Sequence, residues 1–340
     1  MKTKRDIRIV FMGTPDFAVA SLDKLVKAGK NIVGVITATD KFGGRGGKKL
    51  IQSSVKKYAV EQGIKVLQPK NLKAPQFIEE LQSLKADIQI VVAFRMLPEV
   101  VWNMPSKGTF NLHGSLLPQY RGAAPINWAV INGEQETGVT TFFLQHAIDT
   151  GEIIDQKKLP IGPDDTAGIV HDNMMAIGAD LVLETINNIE NGTITSTPQD
   201  ENLVSEAPKI FKETCEINWD QSIDEVYNFV RGLSPFPTAW TNLDGKMLKI
   251  FACKKVKQPK AKDTPLYESD GKTYLRIWAK DGYLDVIDLQ IQGKKRMAIR
   301  DFLNGYQINL KIKENILKKK SIKLSINIMI FQISHFCVGN

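Results

Sequence analysis

The chain has few cysteines and histidines, the residues that form disulfides and most often bind metals. It has three cysteines in 340 residues, Cys215, Cys253 and Cys337, and four histidines. No two cysteines form a Cys-x-x-Cys pair, and no histidine stands near one at the spacing of metal ligands. These absences argue against a disulfide framework and a zinc site, so we expect no bound metal.

Long hydrophobic runs are also missing. Basic residues at the N-terminus, Lys2, Lys4, Arg5 and Arg8, precede an apolar run of only four residues, Ile9 to Met12. That run is too short for the core of a signal peptide. We therefore expect a cytoplasmic protein with no membrane partner.

Two common nucleotide-binding motifs are absent. The loop Gly13-Thr14-Pro15-Asp16 lacks the G-x-G-x-x-G spacing of dinucleotide-binding folds, and the glycines of residues 43–49 fail the phosphate-loop pattern. The sequence does not support binding of nicotinamide cofactors or nucleoside triphosphates.

The composition is that of a globular protein, and its charge is divided unevenly. Hydrophobic residues make up 43% and charged residues 24%, and this length favours two domains. Residues 1–206 carry 22 Lys/Arg and 23 Asp/Glu, whereas the remainder carries 23 and 14, a net charge of +9. The asymmetry suggests that the second half meets a polyanion, although a merely solvated basic face is an equal alternative.

Short apolar runs alternate with amphipathic stretches over residues 1–191, which predicts a Rossmann-like open α/β sheet for this domain. The expected strands are residues 7–12, 31–37, 88–93, 108–112, 139–144 and 153–159, and the expected helices are residues 51–62, 75–84, 124–132 and 167–191. Residues 192–208, rich in Thr, Ser, Pro and Glu, are interpreted as a linker.

The pattern changes after the linker. Alternating runs at residues 247–256, 273–279, 283–292 and 294–298 are separated by Asp-Gly and Gln-Gly turns, which predicts a small antiparallel β-barrel of the oligonucleotide-binding (OB) type over residues 209–310. A helix at residues 223–232 precedes it. The tail, residues 311–340, has isoleucines at alternate positions, and we assign it no function.

One constellation of polar residues has the composition of a catalytic site. Asn111 and His113 lie in the string N-L-H-G-S-L-L-P, which is followed by Y-R-G-A-A-P at residues 120–125 and by Asp149 in D-T-G. The amide can donate to a developing oxyanion, the imidazole can act as acid or electrostatic stabiliser, and the carboxylate can orient the imidazole or accept a proton. Such a trio suits acyl transfer without a covalent intermediate.

These strings resemble the active-site signature of the folate-dependent formyltransferase family. The resemblance extends to F-M-G-T-P-D-F-A at residues 11–18, G-R-G-G-K-K at residues 44–49 and S-P-F-P-T-A-W at residues 234–240, and it covers about residues 8–306. It is strongest to members that formylate the methionyl group of initiator tRNA for translation initiation. It implies 10-formyltetrahydrofolate as donor and charged initiator tRNA as partner. Separately, we expect a monomer without a metal.

The resemblance also implies two sets of binding residues. The donor would lie against two segments, the first comprising Phe94, Arg95, Met96 and Leu97 and the second Ser115, Leu116, Leu117 and Pro118. The tRNA would meet a flexible basic loop with Lys41, Arg45, Lys48 and Lys49, and basic residues of the barrel, namely Lys254, Lys255, Lys294, Lys295 and Arg296.

Three alternatives remain open. A formyltransferase acting on a small amine, such as glycinamide ribonucleotide or an amino sugar, would not need the basic loop and basic second half. A non-catalytic RNA-binding protein on the same scaffold would not need Asn111, His113 and Asp149 together. A formyl-folate hydrolase would deliver the formyl group to water and would not need the basic barrel.

Overall fold

The computed structural model describes residues 6–43 and 46–308, which fall into two compact units. The first unit contains the described residues up to Phe211 together with Arg231–Phe236, and the second contains Lys212–Val230 and the described residues from Pro237 onward. Arg45 and the 311–340 tail lie outside the described residues. Residues 192–208, interpreted above as a linker, group with the first unit.

The first unit is built around one seven-stranded sheet. In chain order its elements are β1 (Ile9–Gly13), α1 (Asp16–Lys27), β2 (Ile32–Ile36), β3 (Lys41–Gly43), β4 (Lys49–Ile51), α2 (Ser54–Glu61), β5 (Val66–Leu67), α3 (Pro75–Ser83), β6 (Ile88–Val92), α4 (Glu99–Trp102), β7 (Thr109–His113), β8 (Arg121–Gly122), α5 (Pro125–Ile131), β9 (Glu136–Phe143), β10 (Ile153–Pro160), α6 (Ala167–Asn191) and β11 (Glu206–Ala207).

The strands of this sheet lie in the order β10-β9-β7-β6-β1-β2-β5. Pairing is parallel from β7 through β5 and antiparallel where β9 meets β7 and β10. Alternate residues of β1 enter different cores: Ile9 and Phe11 join one hydrophobic cluster, and Val10 and Met12 join another. Burial on both faces explains why the central strands appear in the sequence as continuous apolar runs. The predicted open α/β sheet is confirmed.

The structure differs from the sequence-based expectation in its shortest elements. The predicted flexible basic loop contains a hairpin whose arms, β3 and β4, pair Phe42 with Leu50. Residue Ile51 belongs to β4, so the predicted helix starting there begins instead at Ser54, where the Ser53 side chain accepts from the backbone N–H of Lys56. Within residues 192–208, β11 pairs in parallel with β8.

The second unit contains an antiparallel sheet. Its elements are α7 (Ile223–Gly232, whose last two residues group with the first unit), β12 (Ala239–Leu243), β13 (Lys246–Lys257), β14 (Tyr267–Ser269), β15 (Leu275–Trp278), β16 (Gly282–Ile291), β17 (Met297–Ala298) and α8 (Ile299–Gly305). The strand order is β12-β13-β16-β15-β14, with β17 added to β16.

Irregular pairing in β13, between Ile250 and Cys253, interrupts its ladder with β16, and such bulges bend the strand that carries them. Within the described ranges β12 and β14 are edge strands that do not pair with each other. The predicted antiparallel barrel therefore takes the form of an open half-barrel. Across residues 6–43 and 46–308, no helix is both long enough and apolar enough to cross a bilayer.

Candidate active site

A cavity of about 700 Å³ opens at the carboxyl ends of the central parallel strands of the first unit. From β1 the chain builds outward through β2 and β5, and it then returns to the other side of β1 to build β6 and β7. Open α/β sheets bind ligands in the crevice at such a reversal of strand order. Pro15 after β1, Ala93 after β6 and His113 at the end of β7 all line the cavity.

Two of the predicted catalytic residues come from β7. Asn111 and His113 are two residues apart on this strand, so their side chains lie on the same face of the sheet, and both line the cavity. His113 is 6% exposed, and its Nε2 lies 2.8 Å from the carbonyl oxygen of Tyr120. A carbonyl can only accept, so Nε2 carries the proton and donates it in this bond. Nδ1 is thereby left for the third member of the trio.

Asp149, the third predicted catalytic residue, lies in the loop between β9 and β10. Its Oδ2 is 3.8 Å from Nδ1 of His113 and accepts a hydrogen bond of 2.9 Å from the backbone N–H of Gly122. The separation from His113 is longer than a hydrogen bond, but it suits an ion pair once the imidazole takes up a proton. Asp149 has φ = 56°, a left-handed backbone conformation that is uncommon outside glycine. The trio is therefore assembled by two loops and one strand end.

The amide of Asn111 has unused hydrogen-bonding capacity. Its Oδ1 is buried and accepts no hydrogen bond from the residues that the structure describes. Buried polar groups nearly always have partners, and an orphan in a cavity wall points to a partner supplied by a ligand or water.

The two segments predicted to hold the folate donor differ in position. Phe94, Arg95, Met96 and Leu97 all line the cavity. The guanidinium of Arg95 lies 5.8 Å from the ring centroid of Phe94, and its Nη1 donates to the carbonyl oxygen of Lys70 over 3.0 Å. Arg95 therefore ties this wall to the loop after β5.

The second segment is absent from the cavity lining, which on this side stops at Gly114. The Ser115 hydroxyl donates to the carbonyl oxygen of Gln119 over 2.6 Å, and the Leu117 N–H donates to the Thr140 hydroxyl over 3.1 Å. Leu117 is 2% exposed and Pro118 is also buried. Ser115, Leu116, Leu117 and Pro118 are therefore not among the residues that line the cavity, and hydrogen bonds to Gln119 and Thr140 hold their segment.

Several residues around the trio carry no local sequence signal. The Tyr120 carbonyl and the Gly122 N–H act through the backbone, for which residue type is a poor guide. Gln199 lies in the segment predicted as a linker, yet its amide makes hydrogen bonds to Arg121 and to the loop of Asp149. His146 and His171 also line the cavity, and Nε2 of His146 is 3.5 Å from Oε1 of Glu99.

The basic residues that were predicted to contact tRNA and that the structure describes fall into two groups: exposed cations, and cations that pair with a carboxylate. Lys41, Lys48 and Lys49 are exposed on or beside the β3–β4 hairpin. In the second unit Lys254, Lys294 and Lys295 are exposed, and over the described ranges no carboxylate lies within 4.0 Å of their Nζ atoms.

Two of the residues predicted to contact tRNA, Lys255 and Arg296, pair with carboxylates of the second unit. Hydrogen bonds from Lys255 and Lys257 lower the pKa of Asp224, and the Lys255 Nζ also lies 5.2 Å from the ring centroid of Tyr227. Nε of Arg296 donates to Oδ2 of Asp288 over 2.7 Å. The charge of these side chains is therefore partly neutralised within the unit itself.

No metal-binding cluster is evident. Over residues 6–43 and 46–308, no group of three or more His, Cys, Asp or Glu side chains is arranged to hold an ion.

Comparison with known families places the two units with formyl transferases. The family described as formyl transferase matches residues 7–186, and the family described as formyl transferase, C-terminal domain, matches residues 209–307. The chain is 57% identical over 314 residues to the methionyl-tRNA formyltransferase of Parabacteroides distasonis, covering 89% of this chain and 97% of that protein. It is 58% identical to the enzyme of the same name from Phocaeicola vulgatus, with the same coverage.

A solved structure shares the fold at much lower identity. The crystal structure of WlaRD, described as a sugar 3N-formyl transferase in the presence of dTDP and 5-N-formyl-THF, matches with a TM-score of 0.62 and 23% identity. The match covers 86% of this chain and all of that one. At this identity the likeness supports the architecture alone.

Proposed function

The chain belongs to the methionyl-tRNA formyltransferase family, and we propose that it transfers a formyl group from 10-formyltetrahydrofolate to the α-amino group of methionyl-initiator tRNA. The observation that carries this proposal is the convergence of Asn111, His113 and Asp149 on one cavity. We further propose that the enzyme acts as a monomer in the cytoplasm and uses no metal.

The cavity fits the folate donor in size and lining. Its volume of about 700 Å³ falls within the range of small-molecule sites, which are mostly apolar with a few converging polar groups. Phe94, Met96 and Leu97 supply an apolar wall, and the orphaned Oδ1 of Asn111 supplies polar capacity on β7. When bound, 10-formyltetrahydrofolate supplies the formyl carbon that the amine attacks.

Each residue of the trio has a separate role in the reaction. Nδ2 of Asn111 donates to the formyl oxygen as negative charge develops on it, and one such donor typically contributes about 3 kcal/mol. His113, fixed by the Tyr120 carbonyl, lies on the same face of β7 as Asn111 and acts as the electrostatic stabiliser of that charge. Asp149, whose Oδ2 lies 3.8 Å from Nδ1 of His113, orients that side chain and accepts the proton released by the amine, directly or through water. The bond between the formyl carbon and the folate nitrogen then breaks, and this proton passes to that nitrogen, so that tetrahydrofolate leaves as the neutral amine.

No nucleophile from the protein is required. An α-amino group has an ordinary pKa of about 7.7 to 8.0, so a substantial fraction of the acceptor is neutral at cellular pH.

For the acceptor, we propose that the β3–β4 hairpin binds the end of the tRNA through Lys41, Lys48, Lys49 and Arg45, the last of which lies outside the described residues. Lys254, Lys294 and Lys295 are exposed cations suited to tRNA phosphates. We assign Lys255 and Arg296 a smaller part in binding because Asp224 and Asp288 already pair with them. A small-amine acceptor would use none of these residues.

The decisive experiment compares acceptors and variants with the purified protein. Incubation with 10-formyltetrahydrofolate and either charged initiator tRNA or free small amines shows which acceptor gains the formyl group. We expect formyl-methionyl-tRNA, and transfer to small amines at a comparable rate would overturn the tRNA assignment. Hydrolysis without transfer would favour the formyl hydrolase.

Site variants test the trio in the same assay. His113→Ala, Asn111→Ala and Asp149→Asn should each lower kcat by about 100-fold or more with little change in tRNA affinity, because the lost groups act on charge developing in the reaction. Asp220→Asn is the matched control, since its side chain is 86% exposed. Equal losses of binding and turnover in the site variants would count against these roles.

A further inference from the structure

The side-chain amide of Gln199 makes hydrogen bonds to both loops of the candidate site. Its Nε2 donates to the carbonyl oxygens of Asp149 and Gly151, each over 2.8 Å. Its Oε1 accepts from Nε and Nη2 of Arg121 at 3.0 and 2.8 Å. A glutamine amide has two protons and two acceptor lone pairs, so these four bonds use all of its capacity.

The two bonded loops contact two members of the trio, His113 and Asp149. Arg121 stands between Tyr120, whose carbonyl accepts from His113, and Gly122, whose N–H donates to Asp149. On the other side, the Asp149 carbonyl held by Gln199 belongs to a residue with a left-handed backbone. A bond at that carbonyl stabilises a conformation that a non-glycine residue adopts at a cost.

The Tyr120–Gly122 loop has further anchors. The backbone N–H of Tyr120 donates to the Ser205 hydroxyl, and that of Arg121 donates to the Ser205 carbonyl, both over 2.9 Å. The Asp149 carbonyl is held from outside its own loop by Gln199. Loss of the Gln199 amide would therefore release the Asp149 loop while the opposing loop stays in place.

From these contacts we propose that Gln199 is a positioning residue, which holds the backbone of Asp149 so that its carboxylate faces Nδ1 of His113. This role rests on the proposed formyl transfer and on the part assigned to Asp149 in it. Gln199 is absent from the cavity lining, so its effect on the reaction passes through Asp149.

The test uses the full chain with the isosteric change Gln199→Glu. The new carboxylate still accepts from Arg121, but it has no N–H to donate and opposes the two carbonyl oxygens with negative charge. We expect kcat to fall by roughly 10- to 100-fold, as expected for a catalytic group displaced by about 1 Å. The KM for 10-formyltetrahydrofolate and the KM for charged tRNA should stay near the wild-type values, as they should in the control Asn202→Ala on the same segment, whereas Tm should fall because two hydrogen bonds are lost.

A double-mutant cycle separates positioning from a general loss of structure. If Gln199 acts through Asp149, adding Gln199→Glu to Asp149→Asn should lower kcat less than about 3-fold further, because residues that share one function are not additive. A full additional loss would overturn the proposal, as would a Gln199→Glu enzyme with wild-type kcat. Gln199→Met, which retains side-chain length without polar atoms, replaces Gln199→Glu in the cycle if that variant does not fold. Failure of the proposed function is distinguishable, since it would appear as absent transfer in the wild type.

Discussion

Replacing Gly151 by alanine should disturb the site through the backbone alone. A Cβ built at Gly151 would lie 1.6 Å from the carbonyl oxygen of Phe143, whereas real Cβ contacts are essentially never shorter than 3.0 Å. The opposing atom belongs to the backbone of β9, so it cannot rotate away as a side chain would. The Asp149 loop therefore has to retreat from β9 by at least about 1.4 Å, the difference between these two distances.

The cost to catalysis follows from that displacement. If the carboxylate of Asp149 moves with its loop, its 3.8 Å separation from His113 grows to about 5 Å. At an effective dielectric constant near 20, the attraction for an imidazolium weakens by about 1 kcal/mol, roughly a five- to ten-fold effect. Misalignment of the proton acceptor adds to this, because a shift of about 1 Å can cost about 100-fold. We expect kcat for Gly151→Ala to fall between 10- and 100-fold.

The assay is steady-state formylation of charged tRNA alongside thermal unfolding. Gly63→Ala is the matched control: Gly63 has φ = 67° and nothing within 4 Å of its added Cβ, so alanine there should cost about 1 kcal/mol of stability without lowering kcat. Wild-type kcat in a folded Gly151→Ala enzyme would refute the role of loop position, and with it the part assigned to Asp149.

Three further predictions concern the scaffold and the second unit. Tyr120→Phe removes a hydroxyl that donates to Glu134 over 2.6 Å, so we expect a loss of about 1 to 2 kcal/mol of stability but kcat within two-fold of wild type, because His113 bonds the backbone carbonyl; a large loss of kcat would contradict this. Lys254→Ala should make the log-log salt dependence of tRNA affinity shallower by about one phosphate contact, whereas Lys255→Ala should change it less because Asp224 already pairs with Lys255; equal slopes would refute the distinction. Hydrogen bonds from Lys255 and Lys257 lower the pKa of Asp224, so its contribution to stability is complete above the ordinary carboxyl pKa of about 3.9 and is lost as the pH falls through the lowered value. The Tm deficit of Asp224→Asn should therefore be largest near pH 7 and vanish in strong acid, and a deficit independent of pH would contradict the ion pair.

The sequence predicted elements best where their ends carry local signals. The helix expected at residues 167–191 has those bounds in the structure, because Thr166 caps its first turn and Gly192 ends it at φ = 70°. The helix expected at residues 223–232 also has its predicted bounds. Elements of two or three residues, such as β3, β4, β8 and β11, were not predicted, because pairing with a distant segment and not periodicity defines them.

Charge and sequence proximity did not indicate which partners the side chains have in the folded chain. Lys255 and Arg296 contribute to the +9 charge of the second half, yet each pairs with a carboxylate 31 or 8 residues away. The segment Ser115–Pro118 adjoins His113 in sequence but is absent from the cavity lining. Neither outcome could be read from the sequence, since both depend on where the folded chain turns.

The candidate site illustrates a general division between reacting groups and the groups that orient them. Asn111, His113 and Asp149 stand out in the sequence because proton transfer and charge stabilisation require particular side chains. The orientation of His113 and Asp149 depends on the Tyr120 carbonyl and the Gly122 N–H, backbone groups that every non-proline residue possesses and that no motif distinguishes. Substitutions that move the backbone, as at Gly151, should therefore lower kcat more than substitutions that alter an orienting residue's side chain, as at Tyr120. Gln199 is the informative exception, because its side chain bonds to backbone carbonyl oxygens of the Asp149 loop.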